Sequence, residues 1–232
     1  MVLTPDDNPA VRTAEKEVLF PSKKDLQECF QNTDFLNLDS KTAHSRINGA
    51  GVKAVSSLEP SLQKYLMETM DITHAKYIGI VAMEPGSGKI LAMVGYDKDN
   101  PKNNPCLDNR FPAASIFKII TAAAAIEKLN FSSHSSVKYN GRKYTLYKSQ
   151  LKERNNKYTR KLSFEDSFAQ SINPVFGKLG ALRLKNQYLS FYAEAFGFNQ
   201  EIPFELRFPA SKFTISDKPY NWAEIACGFN RK

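Results

Sequence analysis

The sequence predicts an α+β fold, and three observations carry that expectation. Two apolar runs, Tyr77 to Met83 and Ile90 to Gly95, come first and are separated by turn-forming residues. A block of helical patterns then fills about 115–196. At 232 residues, with 42% hydrophobic and 12% aromatic content, the chain can bury one sizeable core. Strands grouped ahead of helices, rather than alternating with them, mark an α+β architecture, here with a central antiparallel sheet.

Residues 1–55 show no sustained hydrophobic period, so they read as a lead-in segment or linker, partly ordered. Within them Asp25 to Phe30 suits a short helix, and Asn48-Gly49-Ala50-Gly51 a turn or flexible link. Residues 56–232 form the main domain. Leu62, Tyr65, Leu66 and Met70 make one helical stripe. Pro85-Gly86-Ser87-Gly88 is the turn of the first hairpin. The pattern from 115 to 129 is apolar nearly all round, which predicts a buried helix. Ser163, with Asp166 three residues on, starts a helix over 164–171. Pro174 suits the first position of the next, 174–184, with Asn173 as its cap, and a last pattern covers 186–196.

The charge is concentrated. Net charge is +8, and residues 138–161 hold nine basic side chains against Glu153, leaving 23 basic and 23 acidic residues elsewhere. Tyr139, Tyr144, Tyr147 and Tyr158 are interleaved with them, a combination that phosphate contacts and base stacking could use. No recognised nucleic-acid motif accompanies the patch, so no nucleic-acid partner is expected. The stretch reads instead as a solvated excursion, with Asn140-Gly141 at the centre of a hairpin turn. Cys29, Cys106 and Cys227 are scattered, and His44, His74 and His134 lack metal spacing, so neither a disulfide framework, a metal nor a cofactor is indicated. No run reaches the roughly 18 apolar residues of a membrane span, and the first residues lack a signal-peptide pattern.

The chemistry-bearing residues are fewer. A serine hydroxyl becomes nucleophilic when a neighbour accepts its proton, and a lysine at i+3 on a first helical turn can do so. Ser-x-x-Lys occurs four times, at Ser61/Lys64, Ser115/Lys118, Ser135/Lys138 and Ser149/Lys152. Only Lys118 sits one turn into an apolar helix, where desolvation would lower its pKa toward that of a base. An N-cap serine with a snorkelling lysine has the same pattern. The sequence also contains a single Ser-x-Asn, Ser171-Ile172-Asn173, 56 residues after Ser115 and between two helical patterns. A helix-loop-helix with a capping asparagine would look alike, and it is the pairing of the two motifs in this order that favours a serine enzyme.

Together these residues resemble the transpeptidase domain of penicillin-binding proteins, whose motifs are Ser-x-x-Lys, Ser-x-Asn and Lys-Thr-Gly. Flanking segments agree: Ser56 to Gln63 resembles the family's approach to its first helix, 77–95 its first hairpin, and Asn109-Arg110 the pair before the nucleophile. Leu162-Ser163 through Gly180 and Phe196-Gly197-Phe198 also match. The resemblance covers about 55–232 and implies a penicillin-binding-protein/β-lactamase-like fold. No Lys-Thr-Gly occurs at any of the eleven glycines, so the resemblance implies a domain that stops before its third motif and last strands. One oxyanion donor and a carboxylate site would lie on that strand.

The resemblance further implies a peptidoglycan D,D-transpeptidase. Ser115 would attack a D-Ala-D-Ala stem peptide, Lys118 accept its proton, Ser171 relay a proton to the leaving amine, and Asn173 orient Lys118 and the substrate amide. The division of base work between Lys118 and Ser171 stays open. β-Lactams would acylate the same serine, other cell-wall synthesis proteins are possible partners, and these 232 residues alone would be weakly active or inactive. The setting implied is extracytoplasmic, with the native membrane anchor absent from this chain. A β-lactam sensor, a serine β-lactamase-like protein and a non-catalytic scaffold remain as alternatives.

Overall fold

The computed structural model describes residues 2–5, 22–31, 34–47 and 50–229. The chain forms two compact units, one from residues up to Asp108 together with Pro203–Pro209, the other from Asn109–Ile202 and Ala210 onward.

In the first unit, strands β1 (Val2–Pro5), β2 (Thr42–Ile47) and β3 (Ala50–Val55) form an antiparallel sheet in the order β1-β3-β2. Helix α1 (Lys23–Cys29) is closed by a Ser22/Asp25 capping box. Helix α2 (Pro60–Thr69) begins with proline at its first turn and packs on strand β5 (Ile90–Asp97), the partner of β4 (Tyr77–Met83) in the expected hairpin. The buried Gln63 side chain bridges elements, accepting from Met93 N at 2.6 Å and donating to Leu38 O at 3.0 Å.

The lead-in is more built than its aperiodic sequence implied. Phe30, Phe35, Ala43, Val52 and Ala54 share one core with Leu58, Met93, Leu107 and Leu206. The compact units therefore divide at Asp108/Asn109 rather than at 55/56: apolar residues on both sides of 55 bury one another. Of the expected turn at 48–51, Asn48 and Gly49 lie outside the described residues; the flanking strands pair with Ile47 opposite Ala50.

The second unit is mainly helical. A 3₁₀ turn, Ala114–Phe117, runs into α3 (Lys118–Leu129). Strands β6 (Ser136–Tyr139) and β7 (Arg160–Ser163) pair antiparallel. Helices α4 (Phe164–Ala169) and α5 (Asn173–Lys178) follow, then a π-helical segment Leu179–Leu184, α6 (Lys185–Ala195) and α7 (Pro219–Ala226). Ser163 caps α4 as expected, its hydroxyl accepting from Asp166 N at 3.0 Å. The core is aromatic: Phe117 stacks on Phe213 with centroids 5.7 Å apart and meets Phe198 edge-on, while Phe164 contacts Phe131 and Phe176.

Four local expectations are corrected. Helix α3 is buried on one side only, since Ile119 and Ile126 are about half exposed and Ile116, in the turn before it, continues their open stripe. Asn173 is the first residue of α5 rather than its cap: the cap position falls on Ile172, and the Asn173 side chain is drawn to Tyr144 O at 2.9 Å. Helix α4 ends at Ala169, and Ser171 adopts a left-handed backbone with φ +53°. Asn140-Gly141 is not a hairpin turn: the partner of β6 comes only at Arg160, and the chain between is held by Gln150 and packed through Leu146 and Leu151 onto Gly177 of α5. The excursion is thus docked by its backbone and leucines, while its basic side chains form no ion pair among the described residues.

Candidate active site

Ser115 lies on the 3₁₀ turn before α3, and Lys118, which closes that turn, is the first residue of α3. With three residues per turn, positions i and i+3 eclipse, so the serine hydroxyl and lysine stem stand one above the other. Lys118 Nζ donates to Ser115 Oγ at 2.8 Å. Ser115 is exposed and Lys118 is only 2% exposed: the serine faces solvent while the lysine reaches it from inside. The three other Ser-x-x-Lys lysines are exposed, and Lys64 is drawn instead to Glu68 at 3.8 Å.

The end of α7 explains how the buried amine is held. Gly228 N–H donates to Ile225 O at 2.8 Å and Phe229 N–H to Glu224 O at 2.8 Å, a Schellman termination with glycine at φ +86°. Two carbonyls at this end are taken by α3 side chains. Ala226 O accepts from Thr121 Oγ1 at 3.0 Å, and Cys227 O accepts from Lys118 Nζ at 3.2 Å. The partial negative charge of a helix C-terminus thus faces the ammonium group. Gly228 also abuts the residue before Ser115: a Cβ there would sit 1.6 Å from Ala114 O. Ala114 itself has φ +47°, a left-handed conformation that costs an alanine free energy and is held by its surroundings.

Ser171 Oγ donates to Ser115 Oγ at 3.1 Å, so two donors converge on one oxygen. Asn173 is tied elsewhere. Its N–H goes to Lys143 O, its Nδ2 donates to Tyr144 O at 2.9 Å, and its carbonyl accepts from Cys227 Sγ at 3.1 Å. The expected direct link from Asn173 to Lys118 is not among these bonds; Cys227 stands between them, touching Lys118 with its carbonyl and Asn173 with its thiol.

Desolvation by burial is the main influence on Lys118 and holds its pKa below the ordinary lysine value. Ionised Cys227 would oppose that, but burial pushes the Cys227 thiol up to about 12, so it is neutral near pH 7 and acts as a hydrogen-bond donor. Among the described residues Lys118 has no ion-pair partner. An amine weakened in this way and touching a serine oxygen can take that serine's proton once it has lost its own.

The structure brings Ser115, Lys118 and Ser171 into hydrogen-bond contact and places Asn173 next to them through Cys227. Thr121, Cys227, Gly228 and the Lys143–Tyr144 carbonyls are further parts of the site that the sequence reading passed over. A glycine just past the periodic Ala223–Ala226 run is a helix-stop signal that points to Gly228. The carbonyls carry no side-chain signal at all.

Residues 78–228 match the family model of the penicillin-binding protein transpeptidase domain. The chain is 27% identical over 100 residues, 38% of its length and 15% of the relative's, to penicillin-binding protein PbpB of Mycolicibacterium smegmatis. Among solved structures it resembles the D,D-transpeptidase domain of a peptidoglycan glycosyltransferase from Eggerthella lenta, with TM-score 0.52 and 25% identity, covering 74% of this chain and 45% of that one. It shares the fold of a penicillin G acyl-enzyme complex of penicillin-binding protein A from M. tuberculosis, with TM-score 0.56, 23% identity and coverage of 76% and 47%. The chain thus spans less than half the length of the solved structures it matches. With the family model spanning the Ser115, Ser171 and Cys227 segments alike, the chain belongs to the penicillin-binding protein transpeptidase domain family.

Proposed function

We propose that this chain carries the nucleophile and proton-transfer part of a D,D-transpeptidase site that cross-links peptidoglycan stem peptides. The observation that carries the reading is the Lys118 amine, buried, without an ion-pair partner among the described residues, and 2.8 Å from Ser115 Oγ. In the reaction, Ser115 Oγ bonds to the carbonyl carbon of the penultimate D-Ala and its proton passes to neutral Lys118. The tetrahedral intermediate then collapses, and the bond to the terminal D-Ala breaks as its nitrogen takes a proton through Ser171. A cross-linking amine, or water, attacks the acyl-enzyme and restores Ser115. Asn173 orients the substrate amide, while Ser115 and the Cys227 carbonyl orient Lys118. The site acts on the extracytoplasmic side of the membrane, where such stem peptides are exposed. A β-lactam carbonyl would be attacked in the same way, as in the acyl-enzyme complex of the M. tuberculosis relative. The Lys-Thr-Gly of related sites is not in this sequence. A missing oxyanion donor lowers acyl-transfer rates by about 100-fold to 1000-fold, so reaction by these 232 residues is slow.

The test uses a thioester ending in a D-Ala-D-thiolactate unit, with and without a D-amino acid as acceptor. The reading expects thiol release that requires Ser115 and Lys118, and an amide product when the acceptor is present. Penicillin labelling without any thiol release would indicate a sensor, penicillin turnover a β-lactamase, and neither reaction a scaffold; each of these results would overturn the transpeptidase reading.

A further inference from the structure

Asn173 depends on a segment that has almost no regular structure of its own. Its N–H and side-chain Nδ2 are received by the consecutive carbonyls of Lys143 and Tyr144. Both bonds can form only if residues 140–150 keep one conformation. The segment is largely exposed, and Tyr144, whose carbonyl holds the Asn173 side chain, is itself 64% exposed.

One side chain organises it. Gln150 is 5% exposed and uses its whole carboxamide within the segment. Its Nε2 donates to Asn140 O at 3.1 Å and Arg142 O at 3.2 Å, while its Oε1 accepts from Tyr147 N at 2.8 Å and Thr145 Oγ1 at 3.1 Å. Two donors and two acceptors are the full capacity of the group. The bonded positions lie on either side of Lys143–Tyr144, so the carboxamide fixes the direction in which those two carbonyls point. Gly141, at φ +81°, lets it approach, since a Cβ there would lie 2.7 Å from Gln150 Nε2. Outside the loop, Tyr220 donates to Leu146 O at 2.8 Å and Leu146 packs on Gly177 in the helix that Asn173 begins.

We propose that Gln150 is a positioning residue for acyl transfer, holding Asn173 in register with Ser115 and Lys118 through the Lys143 and Tyr144 carbonyls. This rests on the transpeptidase reading for its chemistry and on geometry alone for its structural half. Gln150 touches no reacting atom. Its loss frees the two carbonyls to rotate, which releases the Asn173 amide, and misplacement of about 1 Å near a reacting centre can lower a rate about 100-fold.

The experiment follows Gln150→Ala and the isosteric Gln150→Glu, which keeps both acceptors and removes the donors to Asn140 and Arg142. Solvent exchange of the Asn173 side-chain amide, read by NMR on isotope-labelled asparagine, is expected to rise about tenfold or more in either folded variant. The β6–β7 backbone amides should keep their protection. The first-order acylation step with penicillin is expected to slow about tenfold to 100-fold per folded molecule. In an Asn173→Ala background, Gln150→Ala should slow it no further. Unchanged exchange at Asn173 in a folded variant overturns the proposal, as does an equal rate loss with and without Asn173. Because exchange is measured without any reaction, a wild-type chain that never reacts with penicillin would remove the transpeptidase reading and still leave the positioning role decided.

Discussion

Gly228 lies against the carbonyl of Ala114 with no room for a side chain, joining the end of α7 to the residue that precedes Ser115. Both have left-handed backbones, at φ +86° and φ +47°. The contact is made at Ala114, the first residue of the 3₁₀ turn that carries Ser115.

Replacing Gly228 with alanine should therefore act on chemistry as well as stability. The left-handed backbone alone costs an alanine about 1–2 kcal/mol, and the clash must displace Ala114. A lower melting temperature together with loss of penicillin acylation in the protein that remains folded is expected. Wild-type acylation in a folded Gly228→Ala protein would show that this contact does not set Ser115.

Lys118 should impose a pH dependence of known sign. Its pKa is lowered in the folded state, chiefly by desolvation, so between the folded and unfolded values the unfolded chain binds more protons. Stability from this group therefore rises as pH increases through that window, and the penalty of burying the ammonium is fully present below it. The acylation rate should rise over the lower part of the same window as the amine becomes a base. Lys118→Met should flatten the stability profile and abolish acylation, and Lys118→Arg should be nearly as inactive, since guanidinium keeps its proton. An active Lys118→Arg protein would rule lysine out as proton acceptor.

The 138–161 segment separates charge from packing. Lys143, Lys148, Lys152 and Lys157 form no ion pair among the described residues, so changing all four to glutamine should shift stability by no more than about 0.5 kcal/mol each and leave acylation within a few fold. Leu146→Ala, which empties the contact with Gly177, should cost about 2 kcal/mol. Chemical denaturation of the two proteins distinguishes them, and the reverse ranking would mean that the basic side chains hold the segment in place.

What the sequence made legible was local or periodic. The Ser163 cap, the first hairpin and the position of Lys118 in an apolar helix all follow from neighbours within a turn or a strand. The parts that stayed hidden are non-local or reside in the backbone. The lead-in core joins Phe30 and Val52 to Met93 and Leu206, pairings that no short window can reveal. Asn-Pro favours a cap at Asn173, but two carbonyls some thirty residues earlier hold its N–H and its side-chain amide. Gln150 had no motif to mark it, since its work lies in four bonds to its own loop.

The most direct test of the account is where penicillin attaches. After prolonged incubation of the chain with benzylpenicillin, peptide mapping by mass spectrometry should find one covalent adduct, on the peptide containing Ser115. It should disappear in Ser115→Ala and persist in Ser61→Ala and Ser149→Ala. An adduct that survives Ser115→Ala, or that maps to another serine, would contradict the assignment of Ser115 as the nucleophile.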